Sequence, residues 1–279
     1  MLNKNKHIQE LNRRIDDLGK ADIHMHSNFS DGKNSIHQIL EYVEKKTDLD
    51  VIAITDHNTI DGAILAQRIA KEKNYRFEVI IGEEISTDKG HLIGLFLQDP
   101  ISKGLSVRKT IEAIKKQNGL VIAPHPFYHS RMKSGSPLLM DGIGILSILA
   151  EKNSIDGMEC INATFALLGK SNLKARLINN ALIMKSDIGS SDAHMLDLIG
   201  KGITLYEGKT ALDLRTAIIN GQTVSLSNRK SFISIMKYAF FFLPKGLRIF
   251  IYTLIHGRSK KRTQIANVGE LLAQNSGEN

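Results

Sequence analysis

Residues 22–31 read Asp-Ile-His-Met-His-Ser-Asn-Phe-Ser-Asp, and the organisation of the chain can be worked out from them. Because successive side chains of a β-strand point to opposite faces, His24 and His26 lie on one face and the apolar residues between them on the other. Asp31 follows across a short polar turn, where its carboxylate can fold back toward the two imidazoles. Imidazole and carboxylate together suit a divalent ion such as Mn²⁺, Fe²⁺ or Zn²⁺. The stretch predicts part of a metal site, and an ordinary pair of strand histidines is the alternative.

Length and composition place this stretch in a large α/β domain. The chain has 279 residues, of which 42% are hydrophobic, and α/β barrels reach this size as single units. Its one cysteine, Cys160, excludes an internal disulfide framework and fits a reducing compartment. The polar N-terminal segment has no apolar signal core. We therefore expect a cytoplasmic protein.

The positive charge of the chain is concentrated at its C-terminal end. The net charge is +8, but residues 226–279 hold nine Lys/Arg and two Glu, whereas residues 1–225 hold 28 basic and 27 acidic residues. A basic surface for nucleic acid is therefore not expected on the main domain. The predicted organisation is a helical lead-in over 1–20, an α/β domain over 21–225 and a basic, aromatic tail over 226–279.

Apolar runs alternate with amphipathic segments through the predicted α/β domain. Residues 51–55, Val-Ile-Ala-Ile-Thr, are typical of a strand buried on both faces of a parallel sheet. Apolar residues recur at helical spacing in residues 36–43, 60–73 and 106–119. Seven or eight such units predict a closed or slightly distorted barrel of parallel strands surrounded by helices.

Side chains that bind metals follow the C-terminal ends of these strands, where parallel α/β barrels assemble their active sites. Nine such groups, buried together, would be repulsive and underpaired without cations. The predicted metal ligands are His24, His26, Asp31, His57, Glu84, His91, His125, Asp192 and His194.

The motifs around these ligands resemble those of one known family, in the family's order. They are Asp22-Ile-His-Met-His with the distal Asp31, Thr55-Asp-His, Gly82-Glu-Glu-Ile-Ser, Gly90-His, Pro124-His-Pro and Ser191-Asp-Ala-His. The family is PHP, the polymerase and histidinol phosphatase superfamily of metal-dependent phosphoesterases. The resemblance covers residues 21–225. It implies a distorted (β/α)7 TIM-like barrel that carries two or three divalent ions, Mn²⁺, Fe²⁺ or Zn²⁺.

The resemblance also implies a role for each residue. One ion would be bound by His24, His26, Glu84 and Asp192, a second by Asp31, His57 and His194, and a third by His91 and His125, with Glu84 bridging. Of two adjacent glutamates, the family's Gly-x-Glu spacing selects Glu84 over Glu83. Asp22 and Asp56 match catalytic positions that support the ligands and orient imidazoles from outside.

The expected chemistry follows from the metal cluster. Adjacent ions can turn a bridging water into hydroxide at neutral pH and hold two phosphate oxygens. The sequence contains no Gly-x-Ser-x-Gly motif and no P-loop. We therefore expect a phosphatase or phosphodiesterase with a metal-bridging hydroxide as nucleophile. By position, Arg131, Lys133 and Asn162 are candidates to hold the remaining phosphate oxygens; solvated loop charges and a turn residue are the alternative.

The substrate stays open between several classes of phosphate ester. Only 33 residues separate His91 from His125, which leaves no room for the lid domain inserted in some nucleotide-acting relatives. A small phosphomonoester, a nucleotide and the 5′ end of a short oligonucleotide all fit this expectation. The alternative functions are a 5′-3′ exonuclease and a metal-stabilised scaffold that binds a membrane or a protein partner.

The C-terminal tail combines aromatic and basic residues. Residues 232–255 hold five of the ten phenylalanines, and Pro244 and Gly246 divide them into two runs that are too short to cross a bilayer of ~30 Å. Basic residues flank this segment at 229–230 and 258–262. This composition predicts peripheral contact of residues 232–262 with anionic lipid. Packing on the barrel or on a second subunit is the alternative.

Overall fold

In the part of the chain that the structure describes, nine strands form one curved sheet that closes almost completely into a barrel. The structure is a computed structural model, and it describes residues 17–127, 142–164 and 170–227. The strands are β1 Gly19–Asp22, β2 Val51–Ile54, β3 Glu78–Ser86, β4 His91–Leu95, β5 Leu120–Ala123, β6 Gly157–Asn162, β7 Ser186–Ser190, β8 Gly202–Tyr206 and β9 Val224–Ser227.

The helices lie between the strands in the predicted alternation. They are α1 Ile36–Lys46, α2 Asp61–Glu72, α3 Val107–Lys116, α4 Gly144–Ala150, α5 Lys170–Ile178 and α6 Ala211–Asn220, with a π-helical turn at Asn179–Ile183 and a short 3-10 helix at Leu196–Leu198. Ser35 begins α1 with a capping box to Gln38, and Thr210 begins α6 in the same way with Asp213. These caps satisfy backbone N–H groups at each helix start.

The sheet is mixed, whereas the sequence pattern predicted parallel strands throughout. Its order is β7-β6-β5-β4-β3-β2-β1-β8-β9. The pairs among β1, β2 and β3 and among β5, β6 and β7 are parallel, but β4 runs antiparallel to both of its neighbours, and β8 is antiparallel to β1 and β9. The connection from β3 to β4 is too short for a crossover, so the chain reverses there as a hairpin.

Side-chain hydrogen bonds join β7, at one end of the sheet, to β8, the strand next to the other end. Thr204 on β8 accepts a hydrogen bond from the Gly189 N–H at 3.0 Å and donates one to the Gly189 carbonyl oxygen at 2.8 Å. A Cβ atom at Gly189 would overlap the carbonyl oxygen of Ile203, so glycine permits the close approach of β7 and β8. These contacts, together with backbone hydrogen bonds between the segments that follow β1 and β7, bring the two sides of the barrel together without a continuous ladder.

Aliphatic side chains fill the molecule on both sides of the sheet. Ala21, Val51, Ile93 and Ile122 belong to one buried cluster that also contains residues of α6. A second cluster joins β4, β5 and β6 to α3 and α4. Each buried aliphatic side chain contributes about 1.5–3 kcal/mol, and together they fix the strand ends that carry the polar groups described below.

The sheet runs slightly beyond the predicted domain boundaries of 21 and 225, since β1 begins at Gly19 and β9 ends at Ser227. Most of the predicted lead-in and tail, residues 1–16 and 228–279, lies outside the described residues, so the tail's contacts stay predictions. Within the described ranges, no helix is both long and apolar enough to cross a membrane.

Candidate metal centre

The nine predicted ligands come from seven places in the chain and meet at one end of the barrel. The segment after β1 carries His24 and His26, and it stays extended because Met25 pairs with Ala193. His57, His125, Asp192 and His194 follow the ends of other strands. Every one of the nine side chains belongs to at least one group of three or four whose ligand atoms lie within 4.8 Å of one another.

The innermost group consists of His24, His26, Glu84 and Asp192. The two imidazole Nε2 atoms are 3.2 Å apart, and each lies 3.3 Å from Oε2 of Glu84. Oδ1 of Asp192 lies 3.5 Å from His24 Nε2 and 3.2 Å from His26 Nε2. Four ligands at about 2.0–2.1 Å around a tetrahedral ion lie about 3.3 Å from one another, so the spacing of these atoms fits a divalent ion.

A second group surrounds Oδ1 of Asp31. This atom lies 3.1 Å from His194 Nε2 and 3.8 Å from both His26 Nδ1 and His57 Nε2. His26 therefore faces the innermost group with one ring nitrogen and the Asp31 group with the other. The side chains of Asp31 and His57 are 32% and 27% exposed, so solvent reaches the centre from this side.

Glu84 connects these groups to a third. Its Oε1 lies 3.0 Å from both His91 Nδ1 and His125 Nε2, whereas its Oε2 faces His24, His26 and His57. The two oxygens thus serve different sets of imidazoles, as a bridging carboxylate does. Glu83, the neighbouring residue, points away from the centre and accepts a hydrogen bond from the Ile101 N–H at 2.9 Å.

The electrostatics of the centre call for positive charge among the carboxylates. Burial would raise the pKa of Glu84 and of Asp192, but the surrounding imidazoles outweigh burial and hold both pKa values well below their ordinary range. Burial lowers the pKa of His57 to about 3. Burial also opposes protonation of His24, yet the nearby Asp192 and other carboxylates raise its pKa well above the ordinary value. Metal ions bind ionised carboxylates and neutral imidazoles, so a metal ion at the innermost group would take the place of the second His24 proton.

Asp22 and Asp56 hold backbone segments: among the described residues their hydrogen bonds go to backbone N–H and serine hydroxyl groups and not to the imidazoles that they were expected to orient. Asp22 is buried and accepts hydrogen bonds from the N–H groups of Ser191 and Gly200 at 2.9 and 2.8 Å. Burial raises its pKa to about 6. These bonds fasten the loop that presents Asp192, whose backbone adopts a left-handed φ of 52°.

Asp56 fastens the turn that presents Asp31. It accepts hydrogen bonds from the N–H and the hydroxyl group of Ser27 at 2.7 and 2.6 Å, and from the hydroxyl group of Ser30 at 2.6 Å. The polar turn seen in the sequence is thereby folded back onto the centre. The predicted return of Asp31 toward the two histidines has this physical cause.

Glu159, which lies in β6 and is fully buried, is not among the site residues predicted from the sequence. Its Oε1 lies 2.7 Å from His24 Nδ1 and accepts a hydrogen bond from the Ser190 hydroxyl group. Its Oε2 accepts from the His125 N–H at 2.7 Å and from the Asn162 side-chain amide at 2.9 Å. The available signal was a glutamate inside an apolar strand, because buried glutamates are rare unless they are paired.

Of the three candidates for phosphate contact, the structure describes Asn162 alone. The amide group of Asn162 donates to Glu159 and, at 3.2 Å, to Asp192, so it supports the ligands and is not directed at a substrate. Arg131 and Lys133 lie outside the described residues.

Comparison with known proteins agrees with this geometry. The sequence profile of the PHP domain matches residues 22–166. An uncharacterized protein of Methanocaldococcus jannaschii is 46% identical over 119 residues, which cover 39% of this chain and 68% of that protein. A 5′-3′ exoribonuclease of Haemophilus influenzae is 30% identical over 132 residues, which cover 46% of this chain and 45% of that enzyme. The chain thus spans less than half of the exoribonuclease.

Solved structures share the fold. A two-domain protein from Bacteroides vulgatus that contains a predicted PHP-like metal-dependent phosphoesterase aligns with a TM-score of 0.57 and 20% identity, over 80% of this chain and 69% of that one. PsfC from Pseudomonas syringae aligns with a TM-score of 0.56 and 15% identity, over 82% of this chain and 98% of that one. With a family profile that matches more than half of its residues, and with clustered side chains able to hold divalent metal ions, this chain belongs to the PHP domain family.

Proposed function

We propose that this protein hydrolyses phosphate esters with the help of two or three divalent metal ions. The observation that carries the proposal is the sharing of Glu84 between groups of imidazoles, beside four ligand atoms at tetrahedral spacing. Bound at adjacent positions, divalent ions would supply a water ionised at neutral pH and would neutralise charge on a phosphoryl group.

Side chains of the protein would bind the metal ions, leave a path for the substrate and hold the ligand loops in place. His24, His26 and Asp192 would bind the inner metal ion. Their side chains are at most 2% exposed, so the surrounding protein holds them in place. The partly exposed Asp31 and His57 mark the side from which a phosphate group can approach. Asp22 and Asp56 keep the loops of Asp192 and Asp31 in place. Because the ligands are ordered in advance, substrate binding need not organise them.

The side chains beside the ligands favour attack by water over a covalent intermediate. Several serines near the ligands have hydroxyl groups that donate to Asp56, to Glu159 or to a backbone oxygen; they are Ser27, Ser30, Ser190 and Ser191. Burial raises the pKa of the Cys160 thiol well above its ordinary value, so this side chain is a poor nucleophile.

A second candidate function is 5′-3′ exonuclease activity on short oligonucleotides. The named Haemophilus relative supports it, because its 30% identity extends over 132 residues of this chain. The two candidates use the same metal centre and differ in what lies beyond the scissile phosphate. A purified chain that releases nucleotides from 5′-phosphorylated oligonucleotides faster than it hydrolyses phosphomonoesters would favour the exonuclease.

The test uses the full chain, stripped of metal with a chelator and reloaded separately with Mn²⁺, Fe²⁺ or Zn²⁺. The substrates are p-nitrophenyl phosphate, nucleoside monophosphates and 5′-phosphorylated oligonucleotides. We expect turnover only after reloading. Glu84→Gln should abolish turnover, whereas Glu83→Gln, on the adjacent residue of the same strand, should retain it. A reloaded chain that contains metal but turns over none of these substrates would contradict the proposal and support a metal-stabilised scaffold.

A further inference from the structure

Glu159 is a buried carboxylate at the meeting point of four segments. Its hydrogen-bond donors come from the His24 segment, from the second residue after β5, from the end of β6 and from the end of β7. An ionised carboxylate is costly to bury, and an apolar side chain would fill the same space more cheaply. Two donors on each oxygen offset that cost. Such an arrangement points to a role beyond filling the interior.

The contact with His24 determines which of its nitrogens carries a proton. Nδ1 lies 2.7 Å from Glu159 Oε1, and Nε2 faces Glu84 and Asp192 within the innermost group. Because an ionised carboxylate can only accept a hydrogen bond, Nδ1 must be the donor. When a metal ion replaces the proton of Nε2, the lone pair of Nε2 is directed at the position where the ligand atoms of the innermost group converge.

The other oxygen of Glu159 acts on the backbone and on a second ligand. It accepts the N–H of His125, whose backbone has a left-handed φ of 26° that a residue with a Cβ atom rarely adopts. It also accepts a hydrogen bond from Asn162, whose amide reaches Asp192 Oδ2 at 3.2 Å. One carboxylate is therefore linked, directly or through one amide, to three of the proposed ligands.

We propose that Glu159 is a positioning residue for the metal centre: it holds the His24 proton on Nδ1, presents Nε2 to the metal ion, and fixes the strained backbone of His125. The inference rests on the proposed metal-dependent function. It predicts that Glu159 controls metal affinity without touching the metal or the substrate. Carboxylates that orient a metal-binding histidine in this way commonly change metal affinity or activity by about 10- to 100-fold when they are replaced.

The informative variant is Glu159→Gln, which preserves volume. A glutamine has one acceptor oxygen, so its NH₂ group must face either His24 and Ser190 or His125 and Asn162; of these partners only the Ser190 hydroxyl group can turn to accept, so at least one present hydrogen bond to position 159 is lost. We expect Mn²⁺ or Zn²⁺ to bind the full-length variant about 10- to 100-fold more weakly than the wild type, measured by titration calorimetry. Glu83→Gln is the matched control, because Glu83 is also a buried strand glutamate but contacts no ligand. Its affinity should equal that of the wild type.

A second measurement does not depend on the folding of any variant. In the wild-type chain labelled with ¹⁵N-histidine and loaded with Zn²⁺, NMR should show His24 protonated at Nδ1. A His24 proton on Nε2, or a folded Glu159→Gln chain with wild-type metal affinity, would overturn the proposal. So would a wild-type chain that binds no metal.

These readouts separate the role of Glu159 from the reaction itself. A wild-type chain that binds metal but hydrolyses no phosphate ester would contradict the proposed function. The affinity of Glu159→Gln and the tautomer of His24 would still decide the positioning role, because neither depends on turnover.

Discussion

His91 Nδ1 lies 3.0 Å from Glu84 Oε1 because β4 runs back along β3. His91 is the first residue of its strand, and in a parallel barrel the start of a strand lies at the end opposite the active site. The hairpin turn after Ser86 reverses β4, so its beginning joins the C-terminal ends of the parallel strands. The antiparallel strand is thus the reason that His91 reaches the metal centre.

Replacement of a ligand should remove activity without unfolding the barrel. His57→Ala, Glu84→Ala and Asp192→Ala each delete a group that faces the centre, and none of them contributes to the aliphatic core. We expect a loss of activity of at least about 100-fold and a lower metal content, measured by kinetics and elemental analysis. Far-UV circular dichroism should match the wild type. A variant with wild-type turnover would remove that residue from the set of ligands.

Replacement of Asp56 should weaken metal binding at the Asp31 group more than at the innermost group. Asp56→Ala leaves three donors of Ser27 and Ser30 without their acceptor, which costs about 1–3 kcal/mol for a buried donor and loosens the turn of Asp31. We expect a lower melting temperature and the loss of the more exposed metal ion first in a chelator titration. Asp61→Ala, at an exposed position nearby in sequence, is the control. Uniform loss of all ions would argue against this assignment.

The Glu83 side chain should make stability fall as pH rises. Burial raises the pKa of Glu83 from the ordinary 4.5 to about 7. Between these two values the folded protein keeps a proton that the unfolded chain releases, so the free energy of unfolding decreases with rising pH. Glu83→Gln lacks this ionisation and should gain stability relative to the wild type at pH 8 but not at pH 4. Urea unfolding at both pH values measures the difference, and an equal gain at both would contradict the prediction.

Arg131 should contribute to substrate binding if it grips a phosphate oxygen. We predict that Arg131→Ala raises KM with a smaller effect on kcat, because the metal centre itself is unchanged. Steady-state kinetics with a phosphomonoester measures both constants, and Lys103→Ala, at an exposed position of the barrel, is the control. Unchanged kinetics in the arginine variant would identify Arg131 as a solvated loop residue.

The tail should bind anionic membranes if it acts as a peripheral anchor. Residues 226–279 carry +7 of the net charge of +8, and β9 ends at Ser227. The full chain should sediment with phosphatidylserine vesicles and be released by salt, whereas a chain ending at Ser227 should stay in solution and remain active. If the truncated chain aggregates and the full chain does not sediment with vesicles, the tail packs on the surface of the barrel or of a second subunit.

The sequence by itself determined the type of fold and indicated which residues form the candidate metal centre. Apolar runs of strand length and helical spacing are local patterns, and so is the position of a His, Asp or Glu just after a strand. The preference for Glu84 over Glu83 came from the resemblance to the PHP family, whose Gly-x-Glu spacing selects the second glutamate. Strand alternation then explains the outcome, because adjacent residues of β3 must face opposite sides.

Only the tertiary structure decided which contacts connect these residues. Asp22 binds the Ser191 N–H across 169 positions of the chain, and Glu159 binds His24 across 135. No periodicity or motif spacing carries such pairings, since they arise when strands distant in sequence become neighbours in a closed sheet. The direction of β4 and the roles of Asp22, Asp56 and Glu159 became visible only there, because a buried polar side chain takes its function from the partners that the fold brings to it.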